Sequence, residues 1–298
     1  DKVDIILIGD TFDEAKEAAI NDSQTNKLVF IPPFDDVNII EGQATIGLEI
    51  LENMNETVDY LLVPIGGGGL AAGLITVFKE ISPGTKIIGV EPKGAASMKA
   101  AIEANKVVEL EKINTFVDGA AVKSVGQIPF EICKDKLDDI ILVPEGKICT
   151  TILKLYNEEA IVVEPAGALS ISALDYLAGE IKGKNVVCIV SGGNNDIIRM
   201  EEIKERSMLY ESLKHYFLIS FPQRPGALKE FVAEILGETD DIVHFEYKKK
   251  NNRTEGPALV GIVVQNPEDS QLLIERMEKK KFKFEYLNDQ SDIFHYIL

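Results

Sequence analysis

Basic residues are scarce in this chain. Its 31 lysines and arginines face 49 aspartates and glutamates, a net charge of −18 over 298 residues. That balance argues against nucleic acid or an anionic membrane surface as a partner. It also means that an anionic ligand must be gripped by local dipoles, because the overall field repels it. Cysteine is equally sparse. Cys133, Cys149 and Cys188 are odd in number and widely spaced, which excludes a disulfide framework or a zinc pattern. Cys188 lies in the apolar run Val186 to Val190, where a buried thiol is the plain expectation. The three histidines, His215, His244 and His295, lie far apart in the last third, so no metal centre is expected. No apolar run is long enough to span a bilayer. No secretory signal pattern is present, and a cytoplasmic protein is expected.

What is present is ordinary for a globular protein, 45% hydrophobic and 27% charged, with length for two domains. One stretch organises the rest. Asp59 to Ile65 reads as an apolar strand, followed by Gly66-Gly67-Gly68-Gly69-Leu70 and a helical pattern to Glu80. Four glycines let the backbone turn tightly and approach a ligand, and amides converging on a helix start make a phosphate site. A second loop, Ser191-Gly192-Gly193-Asn194-Asn195, also follows an apolar strand.

The pattern along the chain predicts strands at 4–8, 27–31, 86–90, 139–143 and 185–190, besides the central one. Helices are expected at 11–20, where Thr11 and Glu14 form a capping box, and up to Asn53. Further helices are expected at 95–104, 145–160 and from Glu164 to Leu177, with residues 113–128 rich in loop. Strands such as Ile140 to Val143 are apolar on both faces, the mark of a covered parallel sheet whose ligands lie beyond the strands' carboxyl ends. Residues 200–214 read as a charged linker helix. From His215 the order is strand (215–221), helix (226–236), strand (241–249), strand (257–264), helix (268–279), strand (282–287), a ferredoxin-like sequence. Residues 250–256 read as a polar hairpin, and an extra strand is expected at 293–298.

From the residues alone the glycine loop has three readings. Gly66, Gly68 and Ala71 fit a G-x-G-x-x-A dinucleotide turn, with Glu91 at the end of the next strand placed to hold a ribose. A merely tight turn would need fewer glycines. A compact phosphate monoester suits four glycines, and Ser191 offers a hydroxyl to a ring nitrogen. Phosphate at one loop and a ring nitrogen at the other describe pyridoxal phosphate.

The ordered set Gly66 to Leu70, Glu91-Pro92, Asp118-Gly119, Glu164 to Ala168 and Ser191 to Asn194 resembles the tryptophan-synthase-like (fold type II) pyridoxal-phosphate enzymes. It looks most like the threonine deaminases (threonine ammonia-lyases). Pro33-Phe34-Asp35-Asp36 and Glu41-Gly42-Gln43-Ala44-Thr45-Ile46 are similar to that family's P-F-D-D and A-G-Q-G-T-I stretches, with Glu41 and Ala44 as departures. Gln223 to Leu228, Asp241 to Tyr247 and Asn252 to Pro257 resemble the ACT-like regulatory domain of the biosynthetic members. The resemblance implies an α/β catalytic domain at 1–199, a linker helix at 200–214 and an ACT-like domain at 215–298.

It further implies deamination of L-threonine to 2-oxobutanoate and ammonia, with isoleucine inhibiting through the tail and valine opposing it. Gly66, Gly67, Gly68, Gly69 and Leu70 would bind the phosphate, Ser191 the ring nitrogen, and Gly119 would let its loop pass close to the cofactor. Glu164 is either a polar group near the cofactor or a carboxylate serving its own helix dipole. A homo-oligomer, a tetramer by resemblance, is expected. Relatives such as serine racemase hold a divalent ion with a glutamate matching Glu91 and an aspartate. Ser97 stands at that aspartate position, so no such site is implied, while a monovalent ion stays open.

The family's Schiff-base lysine, in an S-x-K-x-R-G-A context, has no counterpart in this sequence. Lys2, Lys16, Lys27 and Lys99 read as solvated side chains. These residues are therefore expected to lack the N-terminal part of a longer polypeptide. The rival functions are an L-serine dehydratase or racemase of the same fold, a non-catalytic amino-acid sensor, and a nucleotide-dependent oxidoreductase.

Overall fold

Thr11 accepts a hydrogen bond from the Glu14 amide while the Glu14 carboxylate accepts one from the Thr11 N–H, and helix α1 (Phe12–Asn26) runs on from that reciprocal cap. This is a computed structural model, and it describes residues 3–9, 11–247 and 254–288. The chain forms two compact units, Asp1–Asp196 and Ile197–Leu298.

In the first unit α1 is followed by α2 (Val37–Asn53), β1 (Tyr60–Pro64), α3 (Gly69–Ile81), β2 (Lys86–Pro92) and α4 (Ser97–Ala104). Then come α5 (Gln127–Cys133), β3 (Asp139–Val143), α6 (Glu145–Glu159), α7 (Pro165–Ser172) and β4 (Val186–Cys188). The strands pair in parallel in the order β3-β2-β1-β4. All five residues of β1 are buried, as expected of a central parallel strand covered on both faces. Leu61, Val63, Ile65, Leu74, Ile75 and Phe78 form the centre of its core, each such side chain contributing roughly 1.5–3 kcal/mol by leaving water. Asp59 fastens β1 to β4. Its carboxylate accepts the Asn185 amide at 2.9 Å, and that bond foremost holds the acid below the usual carboxylate range.

Two expected strands do not form. Residues 4–8 and 28–31 take no regular structure and Lys27 is the left-handed cap that ends α1, with Ile5 80% and Leu7 92% exposed. A strand is defined by its neighbour, and apolar alternation cannot supply one. Residues 127–133, in and beyond a stretch read as loop, form α5 instead.

The second unit contains α8 (Met200–Tyr210), β5 (Lys214–Pro222), α9 (Ala227–Glu234), β6 (Asp241–Tyr247), β7 (Glu255–Val263), α10 (Asp269–Lys279) and β8 (Lys283–Tyr286). Its antiparallel sheet runs β6-β7-β5-β8, and the β-α-β-β-α-β order is as the sequence predicts. Phe217, Phe231, Val260, Leu273 and Met277 build its core. Helix α8 belongs to this unit. Its Glu205 accepts the Lys214 ammonium at 2.5 Å and the Tyr216 hydroxyl at 2.8 Å. His215 bridges the Ser212 carbonyl and the Tyr286 hydroxyl, 2.9 Å from each, and burial lowers its pKa from the ordinary 6.5. Most of the expected 250–256 hairpin and the whole expected 293–298 strand lie outside the described residues. Among the described residues no helix is long and apolar enough to cross a membrane.

Candidate functional site

The sheet order decides where the two glycine loops meet. β1 pairs with β4 in register, Tyr60 beside Val186 and Leu62 beside Cys188. Parallel neighbours put their carboxyl ends on the same edge, so the loops after Pro64 and after Cys188 emerge together. They border a cavity of about 300 Å³ lined by Gly66, Gly67, Gly68, Gly69, Leu70, Gly119 and Ser191, with Phe34 and Ala166 among its other walls. All seven site residues expected from the sequence thus share one cavity. No lysine lines it.

The glycine loop is shaped by what presses on it. Gly68 has φ +95°, a left-handed conformation that other residues adopt at a cost, and it caps α3. A Cβ on Gly67 would stand 2.2 Å from the Phe34 ring. The loop therefore lies flat against the P-F-D-D segment. Among the described residues no backbone carbonyl accepts from the amides of Gly66 to Leu70. Such unpaired amides at the positive end of a helix favour an anion.

The P-F-D-D residues divide the work. Asp36 caps α2 through the Asn38 amide at 2.8 Å. Asp35 caps α5 across a long sequence gap, accepting the Gln127 and Ile128 amides at 3.0 and 2.9 Å. The Gly126 amide then donates to the Gly67 carbonyl at 3.0 Å, tying α5 to the loop. Lys16 is half-buried, with its ammonium 5.2 Å from the Phe34 ring centroid, and is not the freely solvated side chain expected.

The second loop is held by α7. The Glu164 amide donates to the Gly192 carbonyl at 3.2 Å, and the Glu164 carboxylate accepts the Asn194 amide at 3.2 Å. That carboxylate makes no cap bond to its own helix; it faces Gly119 and Gly192. Ser170, fully buried, donates its hydroxyl to the Ile189 carbonyl at 2.7 Å and fixes the end of the strand segment. The Ser191 side chain remains exposed.

Glu91 does not do what a dinucleotide site would ask of it. It is fully buried, does not line the cavity, and accepts the Met98 and Lys99 amides at 2.7 and 2.9 Å. Burial raises its pKa from 4.5 to about 7 against the opposing pull of those two bonds. Burial first, and then the nearby Glu91 charge, push the Cys133 thiol up to about 12, which leaves it inert. Nothing in the sequence around Glu91 signals which way its carboxylate turns.

Residues 3–192 match the family model described as pyridoxal-phosphate dependent enzyme, and residues 205–297 match the C-terminal regulatory domain of threonine dehydratase. The L-threonine dehydratase biosynthetic IlvA of Halalkalibacterium halodurans is 55% identical over 99% of this chain and 71% of its own length. The chain belongs to the threonine dehydratase family of pyridoxal-phosphate enzymes. The Bacillus subtilis threonine dehydratase is similar at 54% identity over 99% of this chain and 70% of its own. Among solved structures, the processed form of threonine deaminase isoform 2 from Solanum lycopersicum superposes with a TM-score of 0.64 at 40% identity, covering 68% of this chain. Maize serine racemase gives 0.61 at 28% identity, covering 70% of this chain. The chain spans 59% and 64% of those two solved chains.

The cavity's donor set fits the threonine dehydratase family's cofactor. An open row of amides at a helix start suits a phosphate, and a hydroxyl on the neighbouring loop suits a pyridine nitrogen. Among the described residues no group of three or more His, Cys, Asp or Glu side chains is arranged to hold a metal ion.

Proposed function

We propose that the protein to which these residues belong deaminates L-threonine to 2-oxobutanoate and ammonia, losing water first and hydrolysing afterwards. The observation that carries this is the convergence of Gly66 to Leu70, Gly119 and Ser191 on one cavity at the carboxyl edge of the sheet. Pyridoxal phosphate, when bound, supplies the electron sink that makes the substrate's Cα–H acidic. The amides of Gly66 to Leu70 and the α3 dipole hold its phosphate. Ser191 orients the ring by hydrogen-bonding its nitrogen. A hydroxyl there, unlike a carboxylate, does not enforce a protonated pyridine, which suits elimination over transamination. Gly119 lets its loop pass close to Ala166 and the Glu164 carboxylate, since a Cβ there would lie 2.9 Å and 3.2 Å from them, and so brings that loop to the cavity wall. Residues 1–199 form the catalytic part under this proposal.

The test uses the full-length protein. Purified enzyme is expected to be yellow and to release 2-oxobutanoate from L-threonine faster than pyruvate from L-serine. The likeness to maize serine racemase makes L-serine the competitor to measure. A colourless protein that turns over neither amino acid refutes the proposal.

The second unit carries its own cavity of about 310 Å³, bordered by Phe221, Arg224, Gly226, Lys229, Phe245 and Tyr247. Lys229, together with Arg224 paired to Glu230, stands beside aromatic walls, which suits an amino acid with a carboxylate and a branched aliphatic side chain. Isoleucine is the effector proposed there, with valine opposing it, in residues 215–298. Regulation requires that isoleucine bind the two states of the enzyme unequally. Calorimetric titration of the full-length protein with isoleucine checks this, and absence of heat in a folded protein counts against it. A homotetramer is proposed by family likeness, and sedimentation velocity tests it.

A further inference from the structure

We infer that Glu91 is a positioning residue for the glycine loop: its buried carboxylate fixes the first turn of α4, and that turn braces Gly68 and the adjoining cavity wall. The inference rests on the glycine loop being the phosphate site.

Helix α4 starts after Ala96, whose own side chain makes no cap bond. Glu91, at the end of β2, supplies the missing acceptor from across the turn, taking the Met98 amide at 2.7 Å and the Lys99 amide at 2.9 Å. Both are amides of the first helical turn, which otherwise lack partners. A fully buried carboxylate is costly unless both oxygens are bonded, so Glu91 and the α4 turn depend on each other.

That turn then touches the cavity twice. The Met98 Cε lies 2.8 Å from where a Cβ of Gly68 would stand, so the Met98 methyl packs on Gly68 in its left-handed conformation. Ser97, fully buried, donates to the Val122 carbonyl at 2.9 Å, and Val122 lines the cavity. Pro129 of α5 closes on the same position, its Cβ also 2.8 Å from where a Cβ of Gly68 would stand. The Cβ side of Gly68 is thus filled by two helices, each capped by a carboxylate from outside it, α4 by Glu91 just upstream and α5 by Asp35 far back in the sequence. The amides that the loop presents keep their direction only while both helices hold.

Glu91→Gln tests this in the full-length protein. The amide keeps one oxygen acceptor and turns an NH₂ towards the second backbone amide, so the α4 turn loosens without loss of volume. The pyridoxal phosphate dissociation constant, measured by equilibrium dialysis, is expected to rise about tenfold, equal to about 1.4 kcal/mol. The ³¹P resonance of the bound phosphate is expected to move towards that of the free cofactor, a change that a general loss of stability does not produce in the folded fraction. Should E91Q fail to fold, Met98→Ala keeps Glu91 and removes only the methyl on Gly68. It is expected to weaken binding about threefold to fivefold. Wild-type affinity and an unmoved ³¹P signal in E91Q, or in M98A where E91Q does not fold, overturn the inference. Gly68→Ala separates the two ideas. If G68A weakens binding and E91Q does not, the brace is wrong and the phosphate site stands. If G68A also binds normally, the phosphate site itself is wrong.

Discussion

Gly167→Ala is the sharpest test of how the second loop is held. Gly167 lies inside α7, and a Cβ there would stand 2.2 Å from the Gly192 carbonyl oxygen. An alanine in place of a helical glycine ordinarily stabilises by about 0.5–1 kcal/mol, through helix propensity and a less disordered unfolded chain. Forcing a group into a filled space costs about 1–3 kcal/mol. Here the obstacle is backbone, itself bonded to the Glu164 amide at 3.2 Å, so it cannot rotate aside as a side chain would. The clash outweighs the propensity gain, and G167A is expected to lose about 1–2 kcal/mol and to push Ser191 off the cavity. Gly42→Ala is the matched control. Gly42 is exposed in α2 with nothing within 4 Å of its Cβ position, so G42A is expected to gain about 0.5–1 kcal/mol. Urea unfolding of both variants in the full-length protein, with the visible spectrum of the bound cofactor, reads both effects. If G167A is as stable as G42A and its spectrum is unchanged, the close approach of α7 to the second loop is not what sets Ser191 in place.

Asp35→Ala removes the acceptor for two α5 backbone amides and is expected to cost about 2 kcal/mol by urea unfolding, whereas Asp36→Ala, with one backbone amide and the exposed Asn38 side chain at stake, is expected to cost about 1. Ser191→Ala is expected to leave stability within about 0.5 kcal/mol, since the side chain is exposed, while lowering threonine turnover. The two units are expected to respond oppositely to acid. The lowered pKa of His215 means that below the ordinary 6.5 the unfolded chain binds a proton that the folded unit refuses, so the second unit loses stability as pH falls from 7 to 5. Glu91 holds its proton up to about pH 7 when folded but only to 4.5 when unfolded, so the first unit gains stability as pH falls from 7 towards 4.5. Hydrogen exchange of β1 and β5 amides at pH 7.5 and 5.5 separates the two responses; slopes of equal sign would contradict this assignment.

Local signals made much of this protein legible. Thr11 and Glu14 announce a helix start three residues apart, and the cap is there. The glycine run between an apolar strand and an apolar helix announces a loop of special shape, and Gly68 has it. What stayed hidden depends on distant partners. α5 begins at Gly126, which carries no capping side chain, and its real cap lies 92 and 93 positions away at Asp35. Glu91 stands at a strand end where a ribose ligand and a helix brace look alike, and only the fold turns the carboxylate towards Met98. Residues 4–8 carry a strand's pattern, but among the described residues they have no neighbour to pair with. The sequence reads the two loops as the ends of one cofactor, but the β4–β1 pairing that brings Ser191 to the glycine loop is encoded in no spacing.

That pairing also sets a timetable. β1 meets β2 at Lys86 but gains its other neighbour only at Val186, about 100 residues later. At a synthesis rate of roughly 5–20 residues per second, one flank of β1 waits roughly 5–20 s on the ribosome with its backbone groups unpaired. An apolar strand with an open flank invites pairing with a neighbouring nascent chain. The cofactor cavity is consequently among the last parts of its unit to exist, because Ser191 reaches the glycine loop only when β4 closes that flank. Slowing translation between residues 86 and 186 would lengthen the exposed interval, and aggregation during expression, rather than instability of the finished fold, is where its cost would fall.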